Sequence, residues 1–179
     1  MTQLKPRLSE KDHIQGNFNA AIELVEYGDY QCPYCGQAYP IVRKIQEDFG
    51  NDLKFSFRNF PLSKIHPQAK MAAVATEAAA LQGKFWEMHH IVFENQRRIH
   101  ETALMEYAQR IGLNISQFEK DLQNYSLVEK VENDFESGLR SGVNATPTFF
   151  IDGKKYNGNW EVNNLESFIK RELEAKSIK

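Results

Sequence analysis

Two cysteines, Cys32 and Cys35, are the residues of this chain whose type and spacing most directly indicate chemistry. They are the only cysteines among 179 residues, and two residues separate them. Such a pair commonly serves as a redox couple, as half of a zinc site or as a structural disulfide. A zinc site needs two further ligands, but no histidine lies four residues from another. A disulfide closing so small a loop adds little stability, so the redox couple is favoured.

The segments around the pair predict how it is positioned. Residues 21–27 carry apolar side chains on both faces, which predicts an interior strand. A helical pattern runs from Cys32 to Phe49, with Pro33 in its first turn. Unpaired N–H groups and the helix dipole stabilise a thiolate there. We therefore expect Cys32 to be exposed, with a pKa below about 8.5, and to act as the nucleophile. Cys35 is expected to be more buried and to resolve the mixed disulfide.

The remaining pattern predicts an α/β fold that contains a helical insertion. Residues 53–59 alternate as a second strand, and 62–142 are almost entirely helical. Strand 148–151 and a short partner beyond Asp152-Gly153 predict a hairpin. A last helix begins near Asn163. Because a crossover needs only about a dozen residues, the long helical block predicts an inserted subdomain.

Composition limits the classes of partner. The formal charge is −2, from 22 basic and 24 acidic residues, without a basic block, so no nucleic-acid partner is expected. The sequence has no apolar run long enough for membrane insertion. Residues 1–17 are polar and lack the apolar core of a signal peptide, which predicts a cytoplasmic location. The alternative is a periplasmic or secreted protein whose signal has been removed. We predict a monomer without a cofactor or metal.

Two motifs together identify a family. The sequence VEYGDYQCPYCG (25–36) is followed by GVNATPTFFIDG (142–153). This combination resembles the DsbA-like thiol:disulfide oxidoreductases, which have a thioredoxin-like fold with a helical insertion. The resemblance extends from about residue 12 to residue 169.

The resemblance implies a division of the chain and a set of substrates. It implies an N-terminal lead-in over 1–20, which we expect to be irregular. A thioredoxin-like domain is implied over 21–61 and 143–179, with an inserted helical subdomain over 62–142. The substrates are expected to be protein thiols and disulfides, and a separate redox partner is expected to regenerate the dithiol or disulfide.

The resemblance also implies roles for individual residues. Pro147 is expected to follow a cis peptide bond and to face the dithiol. Glu26 is expected to be a buried carboxylate that accepts the proton of Cys35. Burial is expected to raise the pKa of Glu26. The alternative is that Glu26 is a strand residue that reaches solvent. The expected substrate-binding residues are Tyr30, Pro33, Tyr34, Thr146 and Pro147. Of these, Tyr30, Pro33 and Tyr34 are expected to form an apolar collar around Cys32.

The dipeptide between the cysteines predicts the strength of the couple. Pro33-Tyr34 is similar to the glutaredoxin dipeptide and lacks the histidine of the strongest DsbA-type oxidants. We therefore expect a reduction potential of roughly −150 to −230 mV. A different function also remains open, namely a peptide-binding or holdase module that uses the cis-proline groove without redox chemistry. For His66 a position near the site is the alternative, and an ordinary surface-loop histidine is favoured.

Overall fold

The computed structural model describes residues 2–161 and 163–178. In this part of the chain five strands form one sheet, and seven α-helices accompany them. The strands are β1 (Ile14–Gly16), β2 (Ile22–Gly28), β3 (Leu53–Asn59), β4 (Thr148–Ile151) and β5 (Lys154–Lys155). The helices are α1 (Pro33–Phe49), α2 (Ala69–Ala80), α3 (Phe85–Glu94), α4 (Glu101–Arg110), α5 (Ile115–Leu122), α6 (Tyr125–Arg140) and α7 (Asn164–Ser177).

The sheet has the order β1-β3-β2-β4-β5. Strand β2 lies at its centre, and every residue of β2 is buried, as the apolar pattern on both of its faces predicts. Strands β2 and β4 pair in antiparallel register, with Glu26 opposite Phe149 and Tyr27 opposite Thr148. Strands β4 and β5 form the predicted hairpin.

The described part of the N-terminal lead-in is irregular except for one short strand, β1, which the sequence prediction lacks. Strand β1 pairs in antiparallel register with Lys54–Ser56 of β3. At Gly16, which has a φ of 95°, an added Cβ would lie 2.6 Å from the carbonyl oxygen of Leu53. Only glycine permits this approach. A strand of three residues is too short to produce a recognisable alternation, so the sequence pattern does not reveal it.

The helical segment forms around the alanine-rich helix α2. Helix α2 packs against α3, α4 and α5. Its residues Ala72, Ala75, Ala78 and Ala79 are fully buried. Small side chains let the neighbouring helices come close to its backbone, which explains why an alanine-rich segment lies at the centre of this bundle. No helix in the described part of the chain is both long and apolar enough to span a bilayer.

The chain divides into two compact units. One contains the residues up to Tyr27, Gln37–Arg58 and the chain from Ser137 onward, and therefore most of the sheet. The other contains Gly28–Gly36 and Asn59–Glu136. The segment with both cysteines thus belongs to the helical unit. The boundaries expected from the sequence, at residues 20, 61 and 142, stay a prediction.

Candidate dithiol site

Cys32 and Cys35 lie at the N-terminus of α1. Cys32 directly precedes the helix, Pro33 is its first residue and Cys35 its third. The N–H of Gly36 donates to the carbonyl oxygen of Cys32 at 3.1 Å, the first bond of the helical pattern. Proline suits the first helical position because an N–H there has no partner within the helix.

Cys32 is buried, contrary to the exposure expected from the sequence. Its exposed fraction is 4%, against 0% for Cys35, so only the order of burial agrees with the expectation. The turn that precedes the helix folds back on itself and is fastened by hydrogen bonds from several directions. A residue that ends such a turn lies closer to the protein than the tip of an isolated helix would.

Asp29 makes most of these hydrogen bonds. Its Oδ1 accepts from the N–H of Gln31 at 2.7 Å and from that of Cys32 at 3.1 Å. Its Oδ2 accepts from the N–H of Leu62 at 2.8 Å and lies 2.8 Å from Nδ1 of His66. The Asp29 side chain is 0% exposed and that of His66 is 15% exposed. The carboxylate therefore ties the cysteine turn to the loop between β3 and α2.

The backbone of Asp29 also contacts the dithiol. Its N–H donates to the sulfur of Cys35 at 3.4 Å, and its carbonyl oxygen accepts from the N–H of Cys32 at 3.1 Å. A hydrogen bond donated to sulfur favours the charged thiolate over the neutral thiol. Asp29 thus contacts both halves of the pair through its main chain.

Gln96 fastens the turn from the end of α3. Its Nε2 donates to the carbonyl oxygens of Tyr30 at 3.0 Å and of Cys32 at 2.7 Å. A Cβ added at Gly36 would lie 2.0 Å from Oε1 of Gln96. The amide of Gln96 can therefore come this close because residue 36, directly after the second cysteine, is a glycine. These contacts leave the turn little freedom to move.

Tyr30 differs from the expected collar residue. It is 1% exposed, its hydroxyl lies 2.9 Å from Nδ1 of His89, and its ring lies against Phe93 with the centroids 4.9 Å apart. In this structure the tyrosine is part of the packing of the helical unit and is not accessible to a docked chain. Pro33 and Tyr34, in contrast, are exposed, Tyr34 by 60%.

The remaining predicted residues lie in the sheet unit. Glu26 is on the buried strand β2 and is 3% exposed, so the alternative of a strand residue reaching solvent does not apply. Thr146 is 7% exposed, and the Thr146-Pro147 peptide bond is cis. Just beyond it, the hydroxyl of Thr148 donates to the carbonyl oxygen of Ala145 at 2.7 Å.

Sequence reasoning missed three residues that hold the cysteine turn in place, namely Asp29, His66 and Gln96. Asp29 had a usable signal, because an aspartate in the turn before a helix often accepts from the backbone N–H groups two and three residues further on. His66 and Gln96 had none, since they meet the turn only after the chain has folded over distances of 37 and 64 residues. The expectation that His66 is an ordinary surface histidine is wrong.

The comparison with known proteins agrees with this geometry. A family model described as thioredoxin matches residues 8–171. This chain belongs to the thioredoxin family. Oxidised BdbD from Bacillus subtilis is 27% identical and superimposes with a TM-score of 0.82, covering 93% of this chain and 95% of BdbD. Wolbachia pipientis α-DsbA1 is 22% identical and superimposes with a TM-score of 0.78. The superposition covers 95% of this chain and 96% of α-DsbA1. The predicted thioredoxin-like fold and DsbA-like resemblance are confirmed.

Curated relatives that match this chain are longer proteins. Na+/H+ antiporter NhaA 1 of Mycolicibacterium vanbaalenii is 40% identical over 164 residues, 90% of this chain but 27% of the antiporter. The NhaA of Herminiimonas arsenicoxydans is 38% identical over 160 residues, with 89% and 25% covered. This chain therefore spans about a quarter of these relatives' length.

These relatives overturn the predicted cytoplasmic location. Antiporters work in membranes, so the closely matching domains are parts of membrane proteins, and the prediction is wrong. It relied on the polar character of residues 1–17. A domain that is also found within longer proteins can be located by segments outside itself, which its own first residues do not reveal.

Proposed function

We propose that this protein exchanges disulfides with protein substrates through Cys32 and Cys35, with Cys32 as the nucleophile and Cys35 as the resolving thiol. The observation that carries the proposal is the position of the pair at the start of α1, where Cys32 precedes the first helical residue and a backbone N–H donates to the sulfur of Cys35. A helix N-terminus and an N–H donor both favour the thiolate that such exchange requires.

The exchange proceeds in two displacements. The Cys32 thiolate attacks one sulfur of a substrate disulfide, a Cys32–substrate bond forms, and the other substrate sulfur leaves as a thiolate. Cys35 loses its proton and attacks the sulfur of Cys32, the mixed disulfide breaks, and the second substrate thiolate leaves. The protein now holds a Cys32–Cys35 disulfide, and two electrons have passed to the substrate. The reverse sequence oxidises a substrate dithiol, and a separate redox partner restores the starting state.

Further roles are proposed from the family resemblance. Glu26 accepts the proton of Cys35 during resolution, which its burial on β2 supports because a buried carboxylate binds a proton more readily. Thr146 and Pro147 bind the backbone of an extended substrate. Pro33 and Tyr34 offer apolar surface, which the exposure of Tyr34 supports. No role in docking is proposed for the buried Tyr30.

Single cysteine variants test the proposal. The full chain is incubated with a peptide whose disulfide joins a fluorophore to a quencher, with glutathione as the source of electrons. We expect Cys32→Ser to lose at least nine tenths of the exchange rate. We expect Cys35→Ser to accumulate a mixed disulfide that mass spectrometry detects on Cys32. If Cys32→Ser retains more than half of the rate, Cys32 is not the nucleophile.

The same variants separate redox chemistry from the holdase alternative. A double variant, Cys32→Ser with Cys35→Ser, is compared with the parent in suppressing aggregation of an unfolded protein and in exchanging disulfides. We expect the double variant to lose exchange. The peptide-binding function would be supported instead if the parent showed no measurable exchange and the double variant suppressed aggregation as well as the parent does.

A further inference from the structure

We propose that Asp29 and His66 form a positioning pair that controls the negative charge beside Cys32 and thereby the reactivity of this thiol. The inference rests on the proposed function, because it concerns the same dithiol. Neither residue is one of the predicted catalytic or substrate-binding residues. The pair is a built feature of the helical unit, since the carboxylate is fully buried and receives four contacts.

The contacts of Asp29 fit the ionised carboxylate. Three of its four partners are backbone N–H groups, of Gln31, Cys32 and Leu62, and an N–H can only donate. A protonated carboxyl could direct its own proton only toward Nδ1 of His66. The site therefore holds one proton between Oδ2 and Nδ1, and among the contacts of the described residues the ring is the one side-chain partner of the buried carboxylate.

The charge lies against the main chain of the proposed nucleophile, Cys32. Oδ1 of Asp29 is 3.1 Å from the backbone nitrogen of Cys32, and the backbone N–H of the same aspartate donates to the sulfur of Cys35. A negative charge this close disfavours a second one on the Cys32 sulfur, because like charges in a buried site repel strongly. A donor or positive charge on His66 offsets the carboxylate and reduces this effect.

His66 is able to vary this compensation because its ring is accessible. The side chain is 15% exposed, while the carboxylate that it contacts is 0% exposed. Besides Asp29 and the two thiols, the titratable groups at the turn, among the described contacts, are the phenol of Tyr30 and the imidazole of His89, which lie 2.9 Å apart. The imidazole of His66 is thus the partly exposed partner of the buried carboxylate.

Opposite effects of two substitutions test the pair. Asp29→Asn removes the charge but keeps an oxygen that can accept from the N–H groups of Gln31 and Cys32. Its amide nitrogen replaces the oxygen that accepts from Leu62. His66→Ala removes the compensating donor at a partly exposed position. The rate of Cys32 alkylation by iodoacetamide at neutral pH reports the thiolate fraction; it is measured in the full chain, with Cys35→Ser as the common background.

We expect Asp29→Asn to raise the alkylation rate at least threefold and His66→Ala to lower it at least threefold. The double variant should match Asp29→Asn within twofold, because the histidine acts only through the carboxylate. His66→Asn, whose amide nitrogen overlies Nδ1, should stay within twofold of the parent. Asp121→Asn, at a carboxylate on α5 that accepts from Gln117, and His100→Asn, at the N-cap of α4, are the matched controls.

Two outcomes would overturn the pair. One is a shift of both single variants in the same direction, which would indicate a general loosening of the turn. The other is a rate within twofold of the parent for each folded variant, with folding checked by circular dichroism. The proposed function is judged separately, by whether the parent exchanges disulfides at all. A parent that fails to exchange, while its variants still shift Cys32 alkylation in opposite directions, would refute the function and retain the pair.

Discussion

Two buried acidic sites in the helical unit use their carboxylates differently. At the cysteine turn, Asp29 receives three backbone N–H groups and one imidazole. Between α2 and α6, Asp134 and Glu77 share Lys130, with Nζ to oxygen distances of 2.7 and 3.7 Å. Both also accept hydrogen bonds from Asn59 at the end of β3. One site holds a turn in place, and the other joins a strand end to two helices.

The partners of a buried carboxylate decide what its loss affects. Burial raises the pKa of Asp134 above its usual value of 3.8, and Lys130 offsets this only in part. Because Asp134 and Glu77 share one partly exposed lysine, ionising both carboxyl groups in this buried site costs free energy. The Asp29 site places its charge against the main chain of the reacting residues. We therefore expect changes at Asp29 to alter reactivity and changes at the Asp134 site to alter stability.

The largest expected effect is that of Asp29→Ala, which leaves the part-buried N–H groups of Gln31 and Leu62 without their acceptor. The N–H of Cys32 loses one of its two acceptors and keeps the carbonyl oxygen of residue 29. Unmet buried donors cost about 1–3 kcal/mol each, partly recovered by water, so we expect a loss of about 3 kcal/mol in unfolding free energy. Because the turn loses its anchor, the exchange rate should fall at least tenfold. Urea unfolding and the peptide exchange assay measure the two quantities. Asp121→Ala is the control, and an equal loss of rate there would remove the distinction between the sites.

At the other site, Lys130→Met should destabilise the protein without affecting the thiols. Removing one partner of a buried ion pair leaves uncompensated charge, which we expect to lower the unfolding free energy by about 2 kcal/mol given the partial exposure of Lys130. The exchange rate should stay within twofold of the parent. Lys70→Ala, which breaks an exposed pair with Glu132 between the same two helices, should cost less than about 0.5 kcal/mol. Equal losses in the two variants would show that burial does not matter here.

Tyr34→His changes the charge next to the dithiol and leaves the Asp134 site as it is. A histidine next to the pair can add positive charge that stabilises the thiolate and hence the reduced form. We expect the reduction potential to rise by about 30 mV from a parent value of roughly −150 to −230 mV. Equilibration with glutathione buffers measures both values. Asp134→Asn serves as the control and should leave the potential unchanged, whereas an equal shift there would contradict the separation of the sites.

The smallest expected effect is the pH dependence contributed by Asp134. Because its folded pKa is raised, the native state binds this proton more tightly than the unfolded state. Stability from this group is therefore lost as pH rises through the raised value and regained on acidification. Between about pH 7 and about pH 4.5, the parent should gain stability relative to Asp134→Asn. Urea unfolding at both values measures the difference, and a parent that loses stability relative to the variant would show that Lys130 dominates the site.

Much of the fold could be predicted from the sequence because its signals are local. The buried run of β2, the alternation of β3 and the Asp152-Gly153 turn each lie within a few residues, and the structure places elements there. The position of Cys32 and Cys35 at a helix start follows from the same kind of signal. In contrast, β1 depends on pairing with a strand almost forty residues away, and a segment of three residues cannot indicate that partner.

The details of the candidate site could be predicted less well because they depend on distant contacts. The burial of Tyr30 is caused by His89 and Phe93, which lie on α3. The burial of Cys32 accompanies the anchoring of its turn by Asp29 and Gln96. A sequence pattern reports which side chains are apolar, but it does not report which loop will cover them.

Nearly all anchors of the cysteine turn bind main-chain atoms. Asp29 and Gln96 hold the N–H and carbonyl groups of residues 30–32, while the side chains of Pro33 and Tyr34 extend to solvent. The two positions between the cysteines can consequently be varied without dismantling the scaffold beneath them. Saturation libraries at these positions should give a graded series of redox strengths on a common backbone, whereas libraries at Asp29, Gly36 or Gln96 should mostly give misfolded or inactive proteins.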